Sequence, residues 1–333
     1  MDDVRWFAPN HYCTLPVSRL TRSGLRIALE GDQPARVALA ADGQCAVASF
    51  EYAIRHRVPH ILYLWDLPPW WLGTGRPDLV FAVAGRIRRF PRPIGRYPQR
   101  AGFLSRLGFV ARRSHQVWTP SRQTLADVRH RFGVPAERVP FCYDSDRFHG
   151  AAGGPSVASA AARVPMLLSV SRLVPHKNHQ LLVRAAARLP TPVEVRLIGN
   201  GPEAGPLRRL AGQLGVSVTV VEGASGDEVL AAYRSASVVV CPSRFEGLGL
   251  TGHEALAIGC PVLASDIPPH REFLGSRARY FDPADEAGLA DQLLTALERL
   301  GAPSQPSETT ELTIEACAER FRQRLEAVLR AGR

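Results

Sequence analysis

The sequence predicts an α/β protein built from two doubly wound, Rossmann-like domains, and three observations carry the prediction. Short apolar runs alternate with amphipathic stretches along most of the 333 residues, the pattern of parallel strands covered by helices on both faces. A small-residue, almost uncharged segment at 150–162 (GAAGGPSVASAAA) separates two halves that both show this alternation. The length suits two domains at roughly 150 residues each. A chain with 45% hydrophobic and 22% charged residues can bury a core in both. The expected domains are 1–150 and 165–310, joined by a linker at 151–164, with residues 311–333 forming a terminal helix.

In the first half, strands are predicted at 4–8, 37–40, 60–65, 80–83, 116–119 and 139–142. Helices are predicted at 17–30, 46–56, 98–113 and 121–132, the last with Ser121 as N-cap. The loop at 66–76 is aromatic and Pro-rich. The second half is more regular. Strands are expected at 166–170, 193–198, 216–221, 238–241 and 262–265. The helices between and after them are expected at 178–189, 203–214, 227–236, 250–258, 270–273 and 286–300, and a long helix at 311–331 follows a polar spacer. A doubly wound sheet binds its ligands at the carboxyl ends of its strands.

The start, Met1-Asp2-Asp3, carries negative charge with no apolar run behind it, and no stretch reaches the roughly 18 apolar residues of a membrane span. Six scattered cysteines without CxxC spacing argue for a reducing compartment and against a disulfide framework or zinc site. The expectation is a cytoplasmic protein.

Net charge is +10 and is concentrated. From Arg86 to Arg138 there are 13 arginines against Asp127 and Glu137. This stretch is either a solvated face, a peripheral contact with the anionic inner face of a membrane, or a contact with an anionic acceptor. It has neither zinc-finger spacing nor an RNP-type aromatic motif, which argues against nucleic acid. Of 41 basic residues, 40 are arginine and one is Lys177. A solitary lysine in that background suggests a position that needs a compact ammonium.

Four features of the second half fall on loops after strands. Arg172 and Lys177 (SRLVPHKN) stand near a helix start and together form an anion pocket suited to a diphosphate. Gly199 opens a GNGP turn that permits close approach of a ligand, or simply a tight turn. Glu246 precedes the turn Gly247-Leu248-Gly249-Leu250, whose free N–H groups can hold phosphate oxygens, and Glu254 lies eight residues on. Carboxylates beside a diphosphate make sense as acceptors for sugar or ribose hydroxyls. The alternative is a Glu complementing the helix dipole and a surface Glu. The turn before 262–265 (GCPV) reads as structural.

In this order SRLVPHKN, GNGP and PSRFEGLGLTGHEALAIGCPV resemble the donor domain of the GT-B glycosyltransferases, specifically the large retaining family 4 of mannosyltransferase-like group 1 enzymes. Glu246 and Glu254 match its EX7E signature. The resemblance covers 165–300 and implies two facing Rossmann-like domains, with the last helix returning to the first. It implies that Arg172, Lys177 and the N–H groups around Gly247, Leu248, Gly249 and Leu250 hold the donor diphosphate. Glu246 would contact hydroxyls of the transferred sugar and Glu254 the ribose, with the base near 220–223. No metal or other cofactor is implied, and transfer would retain the anomeric configuration.

The first half departs from the family. The loop after its first strand, residues 9–13, has no glycine, and the usual active-site histidine is missing where the central strand ends Trp65-Asp66. Asp66 and His11 are the candidates to replace it. Trp65, Trp70 and Trp71 line an acceptor pocket or pack a core. The resulting expectation is a retaining transferase moving a hexose or deoxyhexose from a nucleoside-diphosphate sugar to a hydroxyl of a glycan, lipid-linked or natural-product acceptor. The alternatives are a nucleotide-sugar epimerase or hydrolase on the same fold, and a non-catalytic binding protein using its Arg-rich face.

Overall fold

The computed structural model describes residues 2–8, 14–29, 34–41, 45–67, 98–149, 164–299 and 309–331, with side chains of the third helix described from 106 onward. His11, Trp70, Trp71, the strand expected at 80–83, the arginines of 86–96 and the linker at 151–163 lie outside the described residues. Those residues form two compact units, one reaching to Asp144 and resuming at Thr310, the other Ser145–Thr309.

The first unit is a six-stranded parallel sheet in the order β2-β1-β3-β4-β5-β6. Its strands are β1 (Asp2–Phe7), β2 (Ile27–Ala28), β3 (Ala35–Ala40), β4 (His60–Tyr63), β5 (Gln116–Thr119) and β6 (Glu137–Arg138). Its helices are α1 (Val17–Arg22), α2 (Ala46–His56), α3 (Pro98–Arg113) and α4 (Arg122–Phe132). The single helix expected at 17–30 is cut short. Gly24, at φ +96°, takes the left-handed turn after α1, and the chain re-enters the sheet as β2. The strand expected at 139–142 instead pairs at Glu137–Arg138, where the Val139 N–H adds a last bond to the Thr119 carbonyl, and Val139, Phe141 and Cys142 are fully buried. Ser121 caps α4 by accepting from the Thr124 N–H.

The terminal helix, Ile314–Ala331, belongs to this first unit. Phe321 is the reason. It is fully buried, with ring centroids 5.2–5.8 Å from Trp6, Tyr63, Trp118 and Phe141. Trp65 also packs into this cluster, 4.8 Å from Phe141, and its indole N–H donates to the Ala41 carbonyl. Trp65 thus packs one face on the aromatic core while remaining half-buried. No helix among the described residues is long and apolar enough to cross a membrane.

The second unit holds a parallel sheet in the order β12-β11-β10-β7-β8-β9. It begins with α5 (Ser145–His149), which the expected domain boundary at 150 assigns to the first domain. Phe148 packs edge-on against Tyr233, and Arg147 pairs with Asp227 at 2.9 Å, so α5 joins this unit. The strands are β7 (Met166–Val170), β8 (Glu194–Ile198), β9 (Ser217–Val221), β10 (Val238–Cys241), β11 (Val262–Ser265) and β12 (Arg279–Phe281). The helices are α6 (His179–Ala186), α7 (Ala204–Leu214), α8 (Gly226–Ser235), α9 (Leu250–Ile258), α10 (Pro268–Leu274) and α11 (Glu286–Glu298). Leu167, Val195, Val238 and Val240 are fully buried, as strands covered on both faces require. Ser225 and Glu228 form a reciprocal capping box on α8. The ladder runs outward from β7 through β8 to β9. Then α8 carries the chain back to β10 on the other flank of β7. The strand order therefore reverses between β7 and β10, and a crevice opens there at the carboxyl ends.

Candidate active site

The two loops that bracket this reversal carry the residues the sequence singles out. After β7 the chain makes a 3-10 turn, Pro175–Lys177, before α6. Asn178 sits in the left-handed region at φ 59°, and its amide donates to the carbonyls of Pro242 and Pro283 at 3.1 and 3.0 Å. That tie holds the Lys177 turn against the loop after β10. The Arg244 N–H donates to the His176 carbonyl and ties the same two loops again.

Lys177 and Glu246 meet directly. The ammonium donates to Glu246 Oε1 at 2.5 Å, and both side chains are nearly buried. Ser243 Oγ donates to the same oxygen at 2.7 Å. Burial alone would raise the Glu246 carboxyl. The Lys177 charge, His270, and the hydrogen bonds from Lys177 and Ser243 outweigh it and hold the group down at about 2. Glu246 is therefore a carboxylate at neutral pH. Burial, reinforced by Lys177, lowers both His176 and His179 to about 3, so these buried imidazoles are neutral. Arg172 is exposed on the same loop, and its charge also bears on His176.

Gly247 and Leu248 are buried in the turn that follows. Gly249 is the N-cap of α9 at φ 81°, and no side chain caps that helix start. The first N–H groups of α9, from Leu250 onward, therefore present unmatched partial positive charge. Gly249 has a second reason to lack a side chain. A Cβ there would stand 2.8 Å from Cδ2 and 3.0 Å from Nε2 of His270. Gly199 is explained by backbone packing alone, since its Cβ would lie 1.9 Å from the Ser171 carbonyl oxygen.

Glu254, on α9, is no surface residue. It is 4% exposed, and Tyr233 of α8 donates to its Oε2 at 2.7 Å. Thr251 Oγ1, one turn earlier, donates to the Val170 carbonyl at the end of β7. A cavity of about 10 Å³, the space of one water molecule, lies among Ser169, Ser171, Ser243, Glu246, Gly249 and His270. A larger cavity of about 170 Å³ opens elsewhere in this unit, between the α6 and α7 starts and Arg244. It contains none of the charged pair.

Sequence reasoning missed Ser243, Tyr233 and His270. Ser243 lies three residues before Glu246, inside a quoted motif, and could have been found. Tyr233 and His270 come from other helices, and no local pattern ties them to the site. In the first unit, Asp66 stands just beyond the carboxyl end of β4 and is half-buried.

Residues 158–311 match the family model described as glycosyl transferases group 1. The chain is 32% identical over 210 residues to the MMP α-(1→4)-mannosyltransferase of Mycolicibacterium hassiacum, covering 60% of this chain and 48% of that protein. It is 35% identical over 167 residues to the GDP-mannose-dependent α-(1-6)-phosphatidylinositol monomannoside mannosyltransferase of Mycolicibacterium smegmatis, covering 43% and 42%. The chain thus spans about half the length of the curated relatives it matches. Among solved structures it is similar to Anabaena HepE in complex with UDP and glucose, at a TM-score of 0.72 and 15% identity, covering 98% of this chain and 100% of that one. It is also similar to sucrose-phosphate synthase from Thermosynechococcus elongatus, at 0.61 and 19%, covering 89% and 70%. The fold is that of these GT-B structures.

Proposed function

We propose that this chain, which has the GT-B fold and matches the glycosyl transferases group 1 model over residues 158–311, transfers a hexose or deoxyhexose from a nucleoside-diphosphate sugar to a hydroxyl acceptor with retention at the anomeric carbon. The observation that carries the reading is the Lys177–Glu246 pair beside an uncapped helix start, at the point where the strand order reverses.

In this reading the donor diphosphate takes the place where positive charge converges. Arg172, Lys177 and the N–H groups around Gly247, Leu248, Gly249 and Leu250 hold its oxygens. Glu246 accepts hydrogen bonds from hydroxyls of the hexose, and Glu254, oriented by Tyr233, does so from the ribose. During transfer the bond from the anomeric carbon to the diphosphate breaks. A bond from that carbon to the acceptor oxygen forms, and the acceptor proton leaves. Negative charge grows on the departing diphosphate, and the Lys177 ammonium held by Glu246, the Arg172 guanidinium and a helix start stabilise it. No metal is invoked. Asp66 and His11 remain the candidates to act on the acceptor side.

The curated relatives are named for mannose transfer or as D-inositol 3-phosphate glycosyltransferases, and HepE was solved with UDP-glucose. GDP-mannose and UDP-glucose are therefore the first donors to test. The acceptor side of the proposal is peripheral contact with an anionic membrane. Arg106 and Arg113 flank the exposed Phe109 on one face of α3, and the Arg113 guanidinium stacks 3.8 Å over its ring. Phe109 touches Phe50 of α2, where Val47 and Ile54 are exposed on the same side. Arginines beside exposed apolar side chains suit an anionic bilayer surface. The test of the transfer reading is radiolabelled hexose release from both donors, with and without a hydroxyl acceptor panel. Turnover of neither donor would overturn it.

A further inference from the structure

Four histidines of the second unit are buried, His176, His179, His253 and His270. Of these, His270 borders the small cavity at Glu246. It lies on α10, 1% exposed, and its ring is fixed in orientation. Nδ1 is 2.9 Å from the Ser265 carbonyl oxygen. A carbonyl only accepts, so Nδ1 holds the proton and donates. The Ser265 hydroxyl, 3.1 Å from the same nitrogen, sends its own proton to the Ser243 carbonyl. Burial lowers the His270 pKa from its ordinary 6.5, so the ring is neutral at pH 7. Nε2 then carries a lone pair, and it lies at the turn holding Glu246, 3.0 Å from where a Gly249 Cβ would stand.

We propose that His270 Nε2 is a second sugar-reading acceptor beside Glu246, taking a hydrogen bond from a hydroxyl of the transferred hexose. The inference rests on the donor-site reading above. A neutral lone pair repels phosphate oxygens and attracts hydroxyl donors, so His270 reads the sugar and leaves the diphosphate to the cations. Two acceptors on one cavity, held by different elements, discriminate between hexoses that present vicinal hydroxyls and deoxy analogues that lack one.

Titration calorimetry with UDP, GDP, UDP-glucose and GDP-mannose tests this. His270→Asn keeps a donor to the Ser265 carbonyl and removes the acceptor. It is expected to bind the free nucleotide as the wild type does and the nucleotide sugar about three- to tenfold more weakly, the worth of one neutral hydrogen bond. His270→Gln places an acceptor near the Nε2 position and is expected to recover part of the loss. Should the Asn variant fail to fold, His270→Leu replaces it. Equal weakening of nucleotide and nucleotide sugar would assign His270 a purely structural role and overturn the proposal. Unchanged affinity for both would do so as well. A wild-type protein that binds none of the four ligands would overturn the donor-site reading itself, and this inference with it.

Discussion

Replacing Lys177 by Met removes one charge from a nearly buried pair and leaves Glu246 facing Ser243 and His270 alone. Glu246 is held at about 2 against an ordinary value of 4.5. At 1.36 kcal/mol per pKa unit, a displacement of this size corresponds to ~3 kcal/mol, inside the range of about 3–5 kcal/mol for stranding one member of a buried pair. The side chain is only 14% exposed, so solvent screens little of this. Part of the lowering comes from the Ser243 hydrogen bond, which remains, so the expected loss at pH 7 is about 2–3 kcal/mol. For a domain of this size that is a fall in Tm of about 4–12 °C.

The pH dependence has a definite sign. In the wild type the folded pKa lies below the unfolded one, so the pair's contribution is complete above about pH 4.5 and fades as pH falls towards 2. In the variant the largest single influence left is burial, which raises the carboxyl. The stranded charge then neutralises on acidification, and the gap in Tm between the two proteins narrows from pH 7 to pH 5. Thermal denaturation across that range is the assay. A Tm at pH 7 within 2 °C of the wild type, or a gap that widens on acidification, would refute the claim that this ion pair supports the site. Lys177→Arg asks the related question of size. A forked guanidinium in a space that fits an ammonium 2.5 Å from Glu246 is expected to restore charge but not full stability.

Gly249→Ala combines a left-handed residue, costing about 1–2 kcal/mol, with a contact of 2.8 Å to the buried His270 ring. Gly215→Ala shares the left-handed φ but meets nothing within 4 Å. Melting curves should therefore rank Gly249→Ala clearly below Gly215→Ala, and equal curves would count against the packing of His270 on the turn. Phe321→Ala opens a cavity among four aromatic rings and should cost about 3–5 kcal/mol, read by urea denaturation; a loss under 1 kcal/mol would contradict the placement of the last helix at the centre of that cluster. Vesicles of phosphatidylglycerol should co-sediment the wild type at low salt, and phosphatidylcholine vesicles should not. The double variant Arg106→Glu, Arg113→Glu should abolish the difference, and co-sedimentation that ignores lipid charge would remove the membrane contact from the account.

The second sheet was largely legible because its strands are short, apolar and buried on both faces, and its helices begin at strong caps such as Ser225 and Asp285. The strands at Met166–Val170, Val238–Cys241 and Val262–Ser265 end where the sequence pattern ends. The three-residue edge strand Arg279–Phe281 escaped notice because Arg-Tyr-Phe has too few residues to show a period. The helix forecast at 17–30 failed for a local reason, Gly24, which was visible in the sequence but outvoted by the surrounding apolar spacing. At the site, the residue types and their order along the chain were readable, and their mutual engagement was not. Lys177 and Glu246 are 69 residues apart, and Tyr233 and Glu254 are 21 apart. Pairings at such separations follow from the reversal of strand order between β7 and β10, which no local pattern contains.

The proposed donor site requires a nucleoside diphosphate to bind at Lys177. Titration of the intact protein with UDP and GDP, beside Lys177→Met, measures this directly. The expected result is saturable binding of at least one nucleotide by the wild type, and a loss of about tenfold or more in a variant that melts as a folded protein, as one charge-assisted contact to phosphate disappears. Equal affinity in the two proteins, or no binding of either nucleotide by the wild type, would contradict it.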